Sequence, residues 1–250
     1  MKVGIVGYGN IGQALNKLFI DAVIYDKHKQ IGSREDINSC DVAFICVPTP
    51  MANDGSCDTS IVEEVIEWLN VEVIVVRSTV KIGFCKEMSQ KYHKEIVFQP
   101  EYYGSTPGHP FNTQNQNCWL ILGGSLHGRS VVIKAYKTVL SSAVKIYQTD
   151  SKTAEMAKYM DNAYFALKVV FCNEMYDLAQ RMCINYDELR ELWLADPRVG
   201  SSHTFVYEEN RGFGGHCYPK DTQALLKQAE EVGVDLSLLD AGIRKNKKWH

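Results

Sequence analysis

Short apolar runs alternate with amphipathic segments through the first 149 residues of the chain. Near-continuous apolar runs are typical of strands that are buried on both faces of a parallel sheet. Runs of strand length lie at 2–7, 23–25, 41–47, 71–76, 96–98, 119–122 and 144–147. Helical patterns separate several of them, at 14–19, 60–69 and 128–140. This alternation predicts an α/β fold over residues 1–149, with a Rossmann-like, doubly wound parallel sheet.

Polar residues mark the starts of two predicted helices. Ser60 and Glu63 have the spacing of a capping box, in which each side chain binds the other residue's backbone N–H. Asp150 or Ser151 can cap a longer helix that runs to about Met182.

From residue 150 onward the pattern is helical only. The long helix carries too many apolar positions for one narrow stripe, and shorter helices are predicted at 186–195, 221–231 and 236–247. We therefore expect an all-helical domain over 150–250. The surplus apolar surface of the long helix predicts that this domain forms a homodimer.

Composition excludes several classes of protein. The 250 residues are 45% hydrophobic and 23% charged, with a net charge of −3, which is ordinary for a soluble globular chain. That charge offers no electrostatic argument for binding nucleic acid or an anionic membrane surface. The longest apolar runs are only strand-sized, so we expect no transmembrane helix.

The cysteines and the first residues bear on location. Eight cysteines are scattered without a CxxC pair, which argues against a zinc site and favours a reducing cytoplasm. Met1 and Lys2 lead directly into the first strand pattern, which leaves no room for a signal peptide. We expect a cytoplasmic protein that uses no metal.

A glycine-rich turn follows the first strand pattern and precedes a helical one. Gly7, Gly9 and Gly12 fit GxGxxG, in which the glycines make the turn, admit a pyrophosphate and let the helix pack on the strand. Pyrophosphate would bind at Gly7, Gly9, Asn10, Ile11 and Gly12.

Asp26 ends the second strand, where an acid typically binds the adenosine ribose hydroxyls and repels a 2′-phosphate. NAD is therefore expected over NADP, although Lys27 and Lys29 follow closely. A simple loop acid is the alternative for Asp26.

Chemistry-bearing residues follow the next three strands. Val47, Pro48 and Thr49 come after the third strand, Thr79 after the fourth and Glu101 after the fifth. In open α/β sheets, ligands bind outside the carboxyl ends of the strands. The alternatives are a rigid proline loop at 47–50 and a surface acid at position 101.

The segment 211–221 places a cysteine on a glycine-rich turn. Cys217 is followed closely by Lys220 and Asp221, and the helix predicted from 221 would put the thiol near a helix N-terminus. A nearby cation and a helix N-terminus both stabilise a thiolate, the reactive form of cysteine. A buried structural cysteine is the alternative.

Two polar residues interrupt the apolar surface of the long helix. Lys158 and Asn162 are four residues apart, so both point from one helical face. Polar groups in such surroundings need partners or a functional role. A lysine that reaches out to solvent is the alternative.

Ten positions, from Gly212 to Asp221, resemble the GFGGxCxPKD signature of the UDP-glucose/GDP-mannose dehydrogenase family, with His216 where many members carry a small residue. Further stretches resemble the family's VPTP, STV, NPEFLREG, KxxxNAF and RIG motifs, at 47–50, 78–80, 99–106, 158–164 and 198–200 respectively. The loop after Glu101 departs from the motif, with Ser105 where a second glutamate is usual, so the sugar stays open. The resemblance covers the family's first two domains, and we expect its C-terminal nucleotide-binding domain to be absent.

The resemblance implies an NAD-dependent oxidation of a nucleotide-sugar primary alcohol to a carboxylate through a cysteine thioester. The implied catalytic residues are Thr49, Glu101, Lys158, Asn162, Cys217 and Asp221. The implied cofactor contacts beyond the glycine-rich turn are Asp26, Val47, Pro48, Thr79 and Lys220. The implied substrate contacts are Glu101, Tyr102, Tyr103, Lys158, Asn162, Arg198 from a neighbouring subunit, Phe213 and Gly214.

Two other functions stay open. A single-step hydroxyacid dehydrogenase of the 6-phosphogluconate or 3-hydroxyacid type also joins a Rossmann domain to a helical domain with a KxxxN lysine, but the Cys217 turn argues against it. A non-catalytic NAD-binding remnant is suggested by the altered Glu101 loop and the expected lack of a third domain.

Overall fold

The computed structural model describes residues 1–102 and 119–249. The chain divides into two compact units. The sheet unit comprises Met1–Ala52 and Cys57–Lys158, and the helical unit comprises Asn53–Ser56 and Tyr159–His250. The division falls within a long helix, and the domain boundary expected at 149/150 stays a prediction.

A seven-stranded sheet organises the sheet unit. Its strands are β1 (Val3–Val6), β2 (Val23–Tyr25), β3 (Val42–Ile45), β4 (Val73–Val76), β5 (Ile96–Phe98), β6 (Trp119–Gly123) and β7 (Lys145–Thr149). They lie in the order β2-β1-β3-β4-β5-β6-β7, and β1 to β5 pair in parallel. Every residue of β1, β3, β4 and β5 is buried, as the continuous apolar runs predicted.

One edge of the sheet differs from the prediction. β6 pairs with β5 in antiparallel orientation and with β7 in parallel, so the sheet is mixed rather than wholly parallel. Antiparallel neighbours need no crossover helix between them, whereas parallel neighbours do. The sequence shows a helical pattern between β6 and β7, and these two strands are parallel. It shows no helical pattern between β5 and β6, and these two strands are antiparallel.

Helices cover both faces of this sheet. They are α1 (Asn10–Asn16), α2 (Arg34–Asn38), α3 (Ser60–Trp68), α4 (Phe84–Tyr92) and α5 (Leu126–Lys137). Ala43 and Ile45 of β3 pack in one core with α3 and α4, whereas Val42 and Phe44 pack in a second core with α1 and α5. Successive strand residues thus serve opposite cores. The predicted Rossmann-like α/β fold is confirmed.

The capping box predicted at Ser60 is wrong. Ser60 is the first residue of α3 rather than its cap, and its backbone N–H donates to Asp58 Oδ1 at 2.9 Å. The Glu63 carboxylate instead accepts from Lys91 Nζ at 2.5 Å and from the Tyr92 hydroxyl at 3.0 Å. The Glu63 side chain therefore bonds to Lys91 and Tyr92 of α4 and not, as the local pattern predicted, to the start of α3.

A remote carboxylate caps α4. Glu155 is fully buried, and its two oxygens accept from the backbone N–H groups of Gly83, at 2.5 Å, and Cys85, at 2.9 Å. These are donors that a helix start leaves without an intrahelical partner. Burial raises the pKa of Glu155 above its ordinary value, and the two hydrogen bonds counteract only part of that effect.

The helical unit is built on α6 (Ser151–Arg181), which begins in the sheet unit, with α7 (Tyr186–Leu194), α8 (Tyr218–Glu231) and α9 (Ser237–Asn246). Asp150 caps α6 as predicted, because its carboxylate accepts from Thr153 N–H at 3.0 Å. A helix long and apolar enough to cross a bilayer does not occur in the described ranges.

The buried cap of α4 generates a prediction about pH. Because the folded protein raises the pKa of Glu155 above 4.5, the stability that this group contributes is present below pH 4.5 and is lost as the pH rises through the raised pKa. Glu155→Gln leaves one N–H without an acceptor and should cost about 1–3 kcal/mol near pH 4.5. Urea unfolding between pH 4.5 and 8 should show the difference from the parent shrinking as the pH rises.

Glu35→Gln, at an exposed carboxylate of the same unit, is the control and should show no such trend. A difference between parent and Glu155→Gln that grows with pH would contradict the role assigned to burial.

Candidate dinucleotide and cysteine sites

The glycine-rich turn after β1 requires glycine at two positions for steric reasons. Gly7 has φ +92°, and a Cβ there would lie 2.8 Å from the carbonyl oxygen of Cys46, at the end of β3. A Cβ on Gly12 would lie 2.0 Å from the carbonyl oxygen of Gly7. Gly9 is exposed and has open space where its Cβ would be. Tight packing beneath an open middle glycine fits the approach of a pyrophosphate to the backbone.

Asp26 lies beside this turn. One of its carboxylate oxygens accepts from Tyr8 N–H at 2.7 Å, and the other accepts from Lys29 N–H at 2.9 Å. Partial burial acts to raise the pKa of Asp26, but the backbone hydrogen bonds from Tyr8, Lys29 and His28 outweigh it and lower the pKa. The turn and an ionised carboxylate are therefore joined by a direct bond, which fits the predicted binding of a dinucleotide pyrophosphate and ribose.

The loops after β3 and β4 are tied to one another. The Ser78 hydroxyl donates to the carbonyl oxygen of Val47 at 2.6 Å, and the Cys57 thiol contacts the carbonyl oxygen of Thr79 at 3.3 Å. Thr49 is buried and Pro48 is exposed. The structure thus places the candidate residues Val47 and Thr79 in neighbouring loops at the carboxyl edge of the sheet.

Glu101 is a buried carboxylate, so its interpretation as a surface acid is wrong. It forms an ion pair with Arg77, which is also buried, at the end of β4. Arg77 Nη1 donates to the Tyr136 hydroxyl at 3.1 Å, and that hydroxyl donates to Gln99 Oε1 at 2.8 Å. Burial raises the pKa of Tyr136, and the charge of Arg77 opposes that rise.

Sequence analysis assigned no role to Arg77. The available signal was a cation placed directly after an apolar strand, where burial demands an opposite charge. Glu101, two residues past the end of the neighbouring strand β5, supplies that charge.

Lys158 lies over an aromatic ring. Its ammonium is 4.6 Å from the centroid of the Tyr102 ring, within the range of a cation–π interaction. The Tyr102 ring meets Trp119 edge-on with centroids 4.6 Å apart. The sheet unit therefore brings two candidate residues, Lys158 and Tyr102, together, and Tyr103 lies outside the described residues.

Cys217 occupies the N-cap position of α8 and is exposed. The predicted location near a helix N-terminus is confirmed, and the alternative of a buried structural cysteine is wrong. The helix begins earlier than predicted, at Tyr218, because Pro219 suits the first turn of a helix. Gly212 and Gly215 have φ of +72° and +74°, which glycine adopts without strain.

The carboxylate of Asp221 is 2% exposed and receives two donors. Asn162 Nδ2 donates to one oxygen at 2.5 Å, and Lys220 forms an ion pair with the other. Asn162 is itself buried on α6. Asn162 of α6 therefore forms one polar cluster with Lys220 and Asp221, which lie in the first turn of α8, directly after Cys217.

Arg198 is placed differently from these residues. Its side chain is 88% exposed and forms an ion pair with Asp196. The loop that follows is held by Lys168, a buried residue of α6 that sequence analysis did not single out. Lys168 Nζ donates to the carbonyl oxygens of Val199 and Gly200 at 3.0 and 2.9 Å, and burial lowers its pKa.

Other cysteines have a different environment from Cys217. Burial raises the pKa of the thiols of Cys40, Cys85 and Cys172, and raises the pKa of Cys46 to about 11. Among the cysteines that the structure describes, Cys183 and Cys217 are the exposed ones. Across residues 1–102 and 119–249, no group of three or more His, Cys, Asp or Glu side chains could hold a metal ion.

The Asn162–Asp221 bond generates a prediction. Asn162→Asp would set two carboxylates at hydrogen-bond distance in a buried place, where like charges repel. We expect a loss of about 1–3 kcal/mol of stability at pH 8, and a smaller loss at pH 5, where one carboxyl can hold a proton. Urea unfolding at both pH values measures it, with Asn210→Asp, at an exposed position, as control. An equal loss at both pH values would contradict the arrangement.

Comparison with known proteins places this geometry in a family. Residues 14–139 match the NAD binding domain of the UDP-glucose/GDP-mannose dehydrogenase family, and residues 152–248 match that family's central domain. The first match confirms NAD, the cofactor expected from the glycine-rich turn and Asp26.

Curated relatives include the UDP-glucose 6-dehydrogenase TuaD of Bacillus subtilis, 30% identical over 227 residues, which cover 85% of this chain and 47% of the relative. The UDP-glucose 6-dehydrogenase of Rickettsia bellii is 28% identical over 247 residues, which cover 94% of this chain and 56% of the relative. The chain thus spans about half the length of the curated relatives that it matches.

Solved structures with the same fold include a UDP-glucose dehydrogenase of Pyrobaculum islandicum, with a TM-score of 0.86 at 22% identity over 99% of this chain and 68% of that one. A UDP-D-ManNAc dehydrogenase of Pyrococcus horikoshii has a TM-score of 0.82 at 24% identity, over 100% of this chain and 69% of that one. The signature at Gly212 to Asp221, the fold and the two domain matches agree, and the chain belongs to the UDP-glucose/GDP-mannose dehydrogenase family.

Proposed function

We propose that this protein oxidises the C6 primary alcohol of a UDP-glucose-like nucleotide sugar to the carboxylate, with Cys217 as a covalent nucleophile. The observation that supports this most directly is the exposed thiol at the N-cap of α8, followed at once by the buried cluster of Asn162, Lys220 and Asp221. A thiol so placed is accessible to the carbon of a bound substrate, as a covalent nucleophile must be.

The NAD-binding part of the chain supplies the oxidant. NAD, when bound, accepts a hydride in each of two successive oxidations. Gly7, Gly9, Asn10, Ile11 and Gly12 hold its pyrophosphate, Asp26 binds its ribose, and Val47, Pro48, Thr79 and Lys220 are the further contacts that we propose. Asp26 is already ionised and tied to the turn, so it disfavours a 2′-phosphate at that ribose.

The chain's own groups then carry the carbon chemistry. In the first oxidation the alcohol loses a hydride and a proton, and a base assisted by Lys158, Asp221 and bound water accepts the proton. The Cys217 thiolate adds to the aldehyde carbon, which gives a thiohemiacetal. A second loss of hydride and proton gives a thioester. Water then attacks the thioester carbonyl, the carbon–sulfur bond breaks, and the carboxylate and the thiol are released.

Fixed charges and dipoles stabilise the oxyanions of these steps. The Lys158 ammonium and the Asn162 amide act there as preorganised donors. Asn162 is held by its bond to Asp221, and Lys158 is held over Tyr102. Glu101 and Asp221 activate the hydrolytic water, and Thr49 faces the reacting centre. Glu101 is held in place by its ion pair with Arg77.

The substrate is proposed from the relatives. Both curated relatives described above are named UDP-glucose 6-dehydrogenase. Glu101, Tyr102, Phe213, Gly214 and Arg198 from a neighbouring subunit are the contacts that we propose, together with Tyr103. A nucleophilic thiol must stay reduced, which supports a cytoplasmic location.

Stoichiometry tests this function. With UDP-glucose and excess NAD, we expect two NADH and one carboxylate for each substrate molecule consumed. Cys217→Ser should lower acid formation by at least about a thousandfold, because the hydroxyl cannot form the thioester, while slow aldehyde formation persists. Absorbance at 340 nm and mass spectrometry of the products measure both, with Cys183→Ser, at the other exposed thiol, as control.

Other outcomes would identify the competing functions. One NADH per substrate, with Cys217→Ser fully active, would indicate a single-step hydroxyacid dehydrogenase. Binding of NAD without oxidation of any UDP- or GDP-sugar would indicate a protein that only binds the cofactor.

We also propose that the protein acts as a homodimer. Apolar residues of α6 remain exposed at a helical spacing, namely Met156, Met160, Tyr164, Phe171 and Leu178, and Met182 directly after the helix is exposed too. Phe171 and Met175 of α6 and Leu189 and Trp193 of α7 are among the residues that line an apolar groove of about 200 Å³. Exposed apolar surface of this extent marks an interaction site, and a second copy of the same chain supplies matching apolar surface.

Light scattering tests the dimer. The parent should have twice the chain mass at micromolar concentration, and Leu178→Glu combined with Leu192→Glu should be monomeric, because each charge would be buried in the interface. Leu126→Glu, on α5 of the sheet unit, is the matched control, because its side chain is as exposed as that of Leu192. A parent that is monomeric under these conditions would rule the proposal out.

A further inference from the structure

The turn that carries Cys217 leaves regular secondary structure, so its backbone groups need partners from elsewhere. Buried backbone N–H and C=O groups are almost always hydrogen-bonded. Gly212 N–H donates to Asn173 Oδ1 at 3.2 Å, and Arg211 donates to the same oxygen at 2.6 Å and to Asp177 at 2.6 Å. Residues of α6 therefore hold the start of the turn.

The next residue of the turn is held by a different helix. Phe213 N–H donates to Asn246 Oδ1 at 2.7 Å, and Asn246 Nδ2 donates to the carbonyl oxygen of Phe213 at 2.8 Å. Asn246 is 7% exposed and Phe213 is 5% exposed. The Asn246 side chain thus pairs with both the N–H and the C=O of Phe213, which requires a side chain that carries a donor and an acceptor.

Close packing sets the position of Asn246. It is the last residue of α9, and a Cβ added at Gly242 of this helix would lie 2.4 Å from Leu167 Cδ2 on α6. Lys245 Nζ also lies 3.1 Å from Glu174 Oε1 of α6. Gly242 and Lys245, which precede Asn246, therefore hold α9 against α6.

Phe213 connects this contact to the thiol. Its ring meets the ring of Tyr218 edge-on, with centroids 6.3 Å apart, and Tyr218 is the first residue of α8, directly after Cys217. Because the backbone of Phe213 is held by α9 and its ring packs on α8, a shift of Phe213 moves the start of α8.

We propose that Asn246 is a positioning residue for Cys217. It fixes the backbone of Phe213 and, through it, the place of the thiol at the N-terminus of α8. The proposal rests on the proposed function in taking Cys217 as the nucleophile. Asn246 contacts neither the thiol nor a residue proposed as catalytic. It bonds to the backbone of Phe213, a proposed substrate contact, and it acts through the turn.

Two variants of the full chain separate the donor from the acceptor. Asn246→Leu removes both hydrogen bonds at similar size, whereas Asn246→Asp keeps an acceptor for Phe213 N–H and loses the donor to its carbonyl oxygen. The matched control is Asn185→Ala, which removes the side chain that caps α7 and so weakens the same unit without touching the turn.

The first measurement is independent of catalysis. Each variant is alkylated with iodoacetamide at pH 7.5, and the rate at Cys217 is followed by peptide mass spectrometry, with Cys183 as internal reference. We expect Asn246→Leu to react at Cys217 at least about threefold more slowly, because Cys217 loses its fixed place at a helix N-terminus, where an attacking sulfur is favoured. Asn246→Asp should lie between Asn246→Leu and the parent, and Asn185→Ala should equal the parent.

The second measurement is turnover with UDP-glucose and NAD. We expect kcat to fall at least about tenfold in Asn246→Leu, with a much smaller change in the Kd of NAD, because the proposed NAD contacts other than Lys220 lie in the sheet unit. A parent without turnover would refute the proposed function, and the alkylation rates would still decide the role of Asn246.

Parent-like alkylation and kcat in Asn246→Leu would overturn the proposal, and so would equal losses in Asn185→Ala. If Asn246→Leu does not fold, as judged by circular dichroism, Asn246→Asp decides by the same criteria.

Discussion

The helical unit depends on the burial of one charge. The Asp221 carboxylate is almost fully inaccessible, and a charge in that position is stable only when donors surround it. Asn162 of α6 and the adjacent Lys220 provide those donors. Satisfying this carboxylate therefore fixes the first turn of α8 against α6. Cys217, the N-cap residue of α8, is therefore positioned by the hydrogen bond between Asn162 and Asp221.

The sheet unit contains the same kind of arrangement at the ends of two strands. Arg77 and Glu101 are both buried and pair with one another, and Arg77 Nη1 also donates to the Tyr136 hydroxyl, which donates to Gln99. Breaking a buried pair by removing one partner leaves an uncompensated charge, so such a pair fixes its members more strictly than apolar contacts do. Each unit thus holds one of the carboxylates proposed for catalysis in one place.

Much of this could be predicted from local patterns. The buried strands follow from continuous apolar runs, and the turns at Gly7 and Cys217 follow from glycine spacing and from what comes before and after. The short helices α2 and α4 were missed because neither carries an apolar stripe long enough to stand out. The reversal of β6 was missed because an apolar run shows that a strand is buried and says nothing of its direction.

Sequence patterns also failed to predict hydrogen bonds between residues that are distant in the chain. Glu63 was assigned to a capping box because Ser60 is three residues away, but Lys91, 28 residues away, takes it. Arg77, Lys168 and Asn246 each look like ordinary polar residues in their own segments. Their roles depend on what the fold brings beside them, and a single sequence does not display that.

The bond between Asn246 and Phe213 also sets an order in time. The two residues are 33 positions apart, and at roughly 5–20 residues per second the ribosome needs about 2–7 s to make the intervening chain. During that interval the cysteine turn already exists, while the helix that will hold it does not. The backbone of Phe213 is then solvated by water, and the thiol is as accessible as any in an unfolded segment. The contact between α9 and the turn is therefore a late one, and it orders the backbone around a cysteine whose side chain stays exposed in the folded chain.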